Sequence, residues 1–143
     1  MVPRRELLRG PLFYVLVLQA ATLAWWRTSP VPLLAVACMC GGDGVADIVG
    51  RRLPSPRLPW NAGKSVAGST AMLVTSAAMG AGFVRLFSAC GLFAVDPAAA
   101  AAACVAVAAA ATLVESLPLP WLDDNLSVPV VAAGVGWALF RPA

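Results

Sequence analysis

The sequence predicts an all-α, multi-pass integral membrane bundle of about five transmembrane helices. Three observations carry this expectation. Sixty per cent of the 143 residues are hydrophobic and the mean hydropathy is +0.82. Only 12% are charged, about half the share in an ordinary soluble domain and too few to solvate a surface. Apolar runs recur at Pro11–Trp26, Val31–Gly50, Val66–Val84, Pro97–Val114 and Leu126–Phe140, each near the roughly 20 residues that cross a hydrocarbon core. The whole chain, 1–143, reads as one domain.

The elements follow in order. A basic flank with Arg4, Arg5 and Arg9 leads into the first run and lacks a small-residue cleavage site, so it reads as the edge of a span rather than a signal peptide. The second run reaches spanning length only by carrying Asp43 and Asp47 in its last two turns. After the third run, Leu86–Val95 is too short to cross alone and reads as an extension of that helix or a lid. Asp96 then Pro97 has the pattern of an N-cap with proline in the first helical position. The alanines from Ala98 to Ala111 suit a closely packed membrane helix, since small side chains let backbones approach. Trp25, Trp26, Trp60, Trp121 and Trp137 mostly fall at run edges, where interfacial tryptophans belong.

Composition also excludes. The net charge of +3 comes without a long basic run, which argues against nucleic acid as a partner. There is no histidine, the commonest general base and transition-metal ligand. Cys38, Cys40, Cys90 and Cys104 lie in apolar stretches without zinc spacing and read as small hydrophobes.

The charges that remain are concentrated. Six of the seventeen charged residues (ten basic, seven acidic) fall between Asp43 and Lys64, and a second acidic group is Glu115 with Asp123, Asp124 and Asn125. Counting crossings places Arg51, Arg52, Arg57 and Lys64 on the N-terminal side of the membrane. Two further crossings return Glu115 to Asp124 to that same side, the basic-rich face of the positive-inside rule. Charge at a membrane edge is costly and marks a functional site by default.

Asp43 and Asp47 are four residues apart and share a helix face. Two hard carboxylates there suit Mg²⁺, which fills its remaining positions with water and phosphate oxygens, and Glu115 is a third candidate ligand. Gly42 and Gly44 would admit a nucleotide close to the backbone. Arg51, Arg52 and Lys64 would supply cations for phosphate. Ser65, Gly68 and Ser69 open the next span, where helix N-terminal amides favour an anion. The same acids also fit purely structural salt bridges to Arg51 or Arg52, and the arginines also fit a topology role alone. Gly63-Lys64-Ser65 is not a P-loop, because the glycine required five residues earlier is Leu58. An ion-coupled transporter is the alternative of a different class, although transporters usually hold their acids near the midplane.

Three ordered blocks carry a resemblance. They are Gly42-Asp43-Gly44-Val45-Ala46-Asp47-Ile48-Val49-Gly50-Arg51, then Leu58-Pro59-Trp60-Asn61 with Lys64-Ser65-Val66-Ala67-Gly68-Ser69, then Val114-Glu115-Ser116-Leu117-Pro118 with Leu122-Asp123-Asp124-Asn125. Together they resemble the polyprenol kinase family, its phytol kinases first and its farnesol kinases next. The resemblance implies a multi-pass chloroplast-membrane enzyme. Such an enzyme transfers the γ-phosphate of a nucleoside triphosphate, preferably CTP, with Mg²⁺ to phytol, and the phytyl phosphate feeds tocopherol synthesis. Farnesol and geranylgeraniol are the alternative acceptors. By position the resemblance puts Asp43, Asp47, Arg51, Lys64, Ser65 and Gly68 on the nucleotide and metal side. One of Glu115, Asp123 and Asp124 would orient the acceptor hydroxyl. The segment from Arg52 to Arg57 departs from the family pattern in having no glycine. The chain corresponds to the C-terminal half of such a kinase, whose further spans precede the matching block.

Overall fold

The computed structural model describes residues 4–25, 27–119 and 123–140. The described residues form five helices and one small hairpin. Helix α1 spans Arg4–Trp25. Helix α2 spans Val31–Arg52, with a π-helical stretch at Ala37–Asp43. Strands β1 (Arg57–Leu58) and β2 (Asn61–Ser65) pair antiparallel, and α3 (Val66–Ala89), α4 (Pro97–Ser116) and α5 (Asp124–Leu139) follow. The all-α membrane bundle expected from the sequence is what the chain adopts. Helices α2, α3 and α4 are long and apolar enough to cross a membrane. The apolar part of α1, Leu12–Trp25, and the 16-residue α5 are shorter than a full span.

Local chemistry sets the helix ends. Asp96 caps α4 by accepting from the Ala99 amide at 2.7 Å, with Pro97 following as expected. Ser65 caps α3 by accepting from the Gly68 amide at 3.1 Å. Of Leu86–Val95, Leu86–Ala89 extend α3 and Cys90–Val95 form a loop that turns at Gly91, whose φ of +77° suits a residue without a Cβ. The hairpin lies in a stretch that reads from sequence only as a proline-punctuated loop (Pro54, Pro56, Pro59).

Small residues set the packing. Helix α3 lies against α2 and α4, α5 against α4 and α2, and α1 at the edge against α5 and α2. On α4 the buried positions are Ala100, Ala103, Cys104, Val107, Ala108, Ala111 and Glu115, a stripe at helical spacing. Leu34 of α2 projects between Gly80 of α3 and Gly136 of α5; a Cβ on those glycines would come within 2.9 and 3.4 Å of its methyl groups. Outward-facing Leu23, Val74, Leu113 and Val130 are exposed apolar side chains of the kind a lipid phase covers. Among the cysteines Cys38 and Cys104 are buried, Cys40 meets the Tyr14 hydroxyl at 2.5 Å, and Cys90 is exposed at the end of α3 rather than packed inside.

Candidate functional site

The charged residues converge on a cavity of about 440 Å³ between the C-terminal end of α2, the hairpin, the start of α3 and the end of α4. Helix α2 contributes Asp43, Asp47 and Arg51, four residues apart in turn, so that they share one face. The Arg51 Nε donates to Asp47 Oδ1 at 2.8 Å, and both side chains are exposed. A pair this wet contributes little to stability. Asp43 is half-buried and lies within electrostatic reach of Lys64, Glu115, Asp124 and Asp47. The wall between these groups is made by Gly50 and Gly68, where α2 and α3 pass closely: a Cβ on Gly68 would stand 3.5 Å from the Gly50 Cα.

Lys64 is the hub. Its Nζ donates to Glu115 Oε1 at 2.5 Å and to Asp124 Oδ2 at 2.8 Å, linking β2 to the end of α4 and the start of α5. Burial would pull the Lys64 ammonium down, but the hydrogen bonds to Asp124 and Glu115 outweigh it and hold its pKa above the ordinary 10.5. Glu115 is 3% exposed and sits in the last turn of α4, where the helix dipole already disfavours an anion. The Lys64 charge offsets both penalties. The hairpin is clamped on the same helix end: Trp60 Nε1 donates to Ser116 Oγ at 3.3 Å and Asn61 Nδ2 to the Ser116 carbonyl at 3.1 Å.

Several expected site residues take other work. Gly42 faces α3, where a Cβ would run into Ser76 Oγ and stand 3.2 Å from Met72 Cγ, so it serves helix packing. Gly44 has open space around it and does not line the cavity. The first amides of α3 are not free for an anion: Val66 N donates to the Pro56 carbonyl, Ala67 N to Ser55 Oγ and Gly68 N to Ser65 Oγ. Ser65 and Gly68 still line the cavity, with the Ser65 hydroxyl holding the cap. Asp123 caps α5, its Oδ1 accepting from the Asn125 amide at 2.9 Å and Asn125 Nδ2 at 2.8 Å, away from the cavity. Arg52 is exposed and outside the lining. Asp124 reaches the site only through Lys64.

Arg57 is the lining residue that motif reading left as a topology determinant. It enters from β1 and has no ion pair among the described residues. Its only sequence signal is a basic residue just before Leu58-Pro59. Ser69 also lines the cavity, and its hydroxyl is buried without a hydrogen-bond partner.

The lining balances three carboxylates (Asp43, Asp47, Glu115) against three cations (Arg51, Arg57, Lys64). A polyanion entering such a neutral site calls for an added cation. Among the described residues no three His, Cys, Asp or Glu side chains gather as a metal cage. The hard oxygens of Asp43 and Asp47 fit Mg²⁺, which takes one or two carboxylates and leaves the rest of its shell to water and phosphate. Glu115, with one oxygen committed to Lys64, is less suited to the metal than the sequence suggested.

A second cavity, about 710 Å³, is an apolar groove between α1 and α5. Phe13, Leu16 and Ala20 form one wall and Leu126, Val130 and Gly134 the other. Its Leu126 end lies two residues along α5 from Asp124, a partner of Lys64.

Known proteins give a consistent likeness. The chain is 44% identical over 137 residues to a protein named probable phytol kinase 1, chloroplastic, from Glycine max, covering 95% of this chain and 45% of that protein. It is 42% identical over 126 residues to phytol kinase 1, chloroplastic, from Arabidopsis thaliana, covering 87% of this chain and 41% of that protein. It is 38% identical over 138 residues to farnesol kinase, chloroplastic, from the same plant, covering 96% and 45%. The chain thus spans about half the length of the curated relatives it matches. No protein-family model matches it, and no solved structure does. The likeness to polyprenol kinases first carried by three motifs extends along nearly the whole chain.

Proposed function

We propose that this chain carries the phosphoryl-transfer site of a membrane lipid-alcohol kinase acting on an isoprenoid alcohol. The observation that supports it most is the cavity in which Asp43, Asp47 and Arg51 of α2 meet Arg57 and Lys64 of the hairpin. Phosphoryl transfer asks a protein mainly for positioning and charge neutralisation, and this lining offers both without histidine. Bound Mg²⁺ would neutralise phosphate charge, held by Asp43 and Asp47. Arg57, free of ion pairs, and Arg51 would grip phosphate oxygens, and Lys64 would hold the α4 end in place. The apolar groove beside Leu126 suits a long hydrocarbon tail lying along the bilayer.

The relatives' names favour phytol as acceptor and phytyl phosphate as product, with farnesol or geranylgeraniol as the second reading because one relative is named a farnesol kinase. CTP as donor, Mg²⁺ as the metal and supply of tocopherol synthesis are what the family resemblance implies. The chloroplastic relatives support a chloroplast membrane as the location. Asp47, Glu115 and Asp124 stand near helix ends, which favours the kinase over a transporter, while Asp43 lies near the middle of α2.

The test is a membrane-fraction assay with γ-radiolabelled CTP, Mg²⁺ and phytol, with a full-length relative as positive control. Labelled lipid phosphate from this chain, reduced at least about 100-fold in Asp43→Asn, is the expected result. Label from the control alone would overturn the reading for this chain.

A further inference from the structure

Every acid near the cavity has an ion pair, a capping task or a place where a metal would bind, but among the described residues one of them also holds a buried oxygen without a hydrogen-bond partner. Asp47 pairs with Arg51, Asp124 with Lys64, and Asp123 caps α5. Glu115 differs. Its Oε1 accepts a hydrogen bond from the Lys64 ammonium, and its Oε2 is buried without a hydrogen-bond partner among the described residues. An unpaired carboxylate oxygen at 3% residue exposure is costly and asks for a donor. Among the described residues the other buried, unpartnered polar side-chain atom in the cavity lining is the Ser69 hydroxyl, on α3.

An ionised carboxylate only accepts hydrogen bonds, so Oε2 repels a phosphate oxygen and welcomes an O–H. Ser69 can both donate and accept. These two atoms belong to residues that line the same cavity as the cations, and each has capacity for a further hydrogen bond. Resting on the kinase reading above, we infer that Glu115 and Ser69 receive the acceptor alcohol: Glu115 Oε2 accepts its O–H, and Ser69 fixes its oxygen. The alcohol oxygen forms the new bond to the γ-phosphorus. The bond from that phosphorus to the bridging oxygen breaks and the nucleoside diphosphate leaves. The alcohol proton passes to Oε2 and on to water in the cavity. Glu115 is thereby the acceptor-side residue among the three acids of its block, with Asp123 and Asp124 serving structure.

Kinetics of the membrane-embedded chain decide the matter. Glu115→Gln keeps the shape and is expected to lower kcat/KM for phytol about 100-fold, the usual range for losing a proton acceptor, while nucleotide affinity stays within about twofold. Glu115→Asp should recover part of the loss, and Ser69→Ala, which disturbs no charge, should raise the KM for alcohol several-fold with the nucleotide KM unchanged. Unchanged alcohol kinetics in Glu115→Gln and Ser69→Ala would overturn the assignment while leaving the kinase intact. A fall in nucleotide affinity in Glu115→Gln would overturn it too, moving Glu115 to the phosphate side. Should Glu115→Gln fail to fold, the Ser69→Ala result alone decides. A wild-type chain that binds nucleotide but phosphorylates no alcohol would overturn the kinase reading and this assignment together.

Discussion

Helices α2 and α4 are nearly equal in length, 22 and 20 residues, yet they solve the membrane problem in opposite ways. Helix α4 is regular, packs through a stripe of alanines, and holds its one acid, Glu115, in the last turn. Helix α2 breaks its regular winding with a π-helical stretch from Ala37 to Asp43, which ends on one acid, and Asp47 follows one turn later. Both Gly41 and Gly42 press against α3, on Met79 and Ser76. Adjacent residues of a regular α-helix do not share a face. The widened π turn lets two neighbours do so, after which Asp43, Asp47 and Arg51 run along the cavity. The regular helix supplies a wall and the irregular one brings the chemistry, in keeping with the frequency of π-bulges at functional sites.

The comparison breaks most sharply at its one shared contact. Lys64→Met leaves the Glu115 charge buried without a cation, and loss of one partner of a buried pair should cost about 3 kcal/mol. Thermal unfolding in nanodiscs, wild type against variant, reads this directly. If the melting point does not fall, α4 does not depend on the hairpin.

The packing contrast is next in size. Gly42→Ala places a methyl on Ser76 and should cost about 2 kcal/mol by overpacking. Gly44→Ala, in open space two residues on, should be neutral or stabilise by up to about 1 kcal/mol through helix propensity. Equal effects would mean that α2 does not pack through its glycines, and the same unfolding measurement separates the two.

Alkaline pH gives the mildest perturbation. The Lys64 ammonium is held above its ordinary 10.5 by its two carboxylate partners, so the stability it contributes is complete below 10.5. That contribution disappears as pH rises through the folded-state value. The wild-type melting point should be level from neutral pH to about 10 and then decline, with a smaller decline in Lys64→Met. Parallel curves would detach the titration from Lys64.

Much of this arrangement was legible in the residues. Run length, the Asp96-Pro97 cap and the alanine stripe announce the helices because burial in lipid and backbone capping are local demands. Counting crossings brings Lys64, Glu115 and Asp124 to one face because helices can only alternate direction. The π stretch left no signal, since winding is decided by what α3 presents to Gly41 and Gly42. Arg57 was hidden because a two-residue strand has no period to read, and three prolines around it speak for loop. Asp123 caps α5, the place that Asp followed by Asp-Asn at a helix start signals. Ser65 and Gly68 line the cavity, but the amides expected to receive an anion are spent on Ser55, Pro56 and Ser65 itself.

The links made by Lys64 also carry a timetable. Its partners lie 51 and 60 residues further along the chain. At roughly 5–20 residues per second of synthesis, Lys64 joins the chain some three to ten seconds before Glu115 does. During that interval the cavity has its acids and arginines but no far wall, and the hairpin has no Ser116 to hold. The site is therefore closed from its C-terminal side, by the last helices to arrive, and a nascent chain halted before α4 has every residue of the Asp43–Lys64 cluster yet nowhere to seat a substrate.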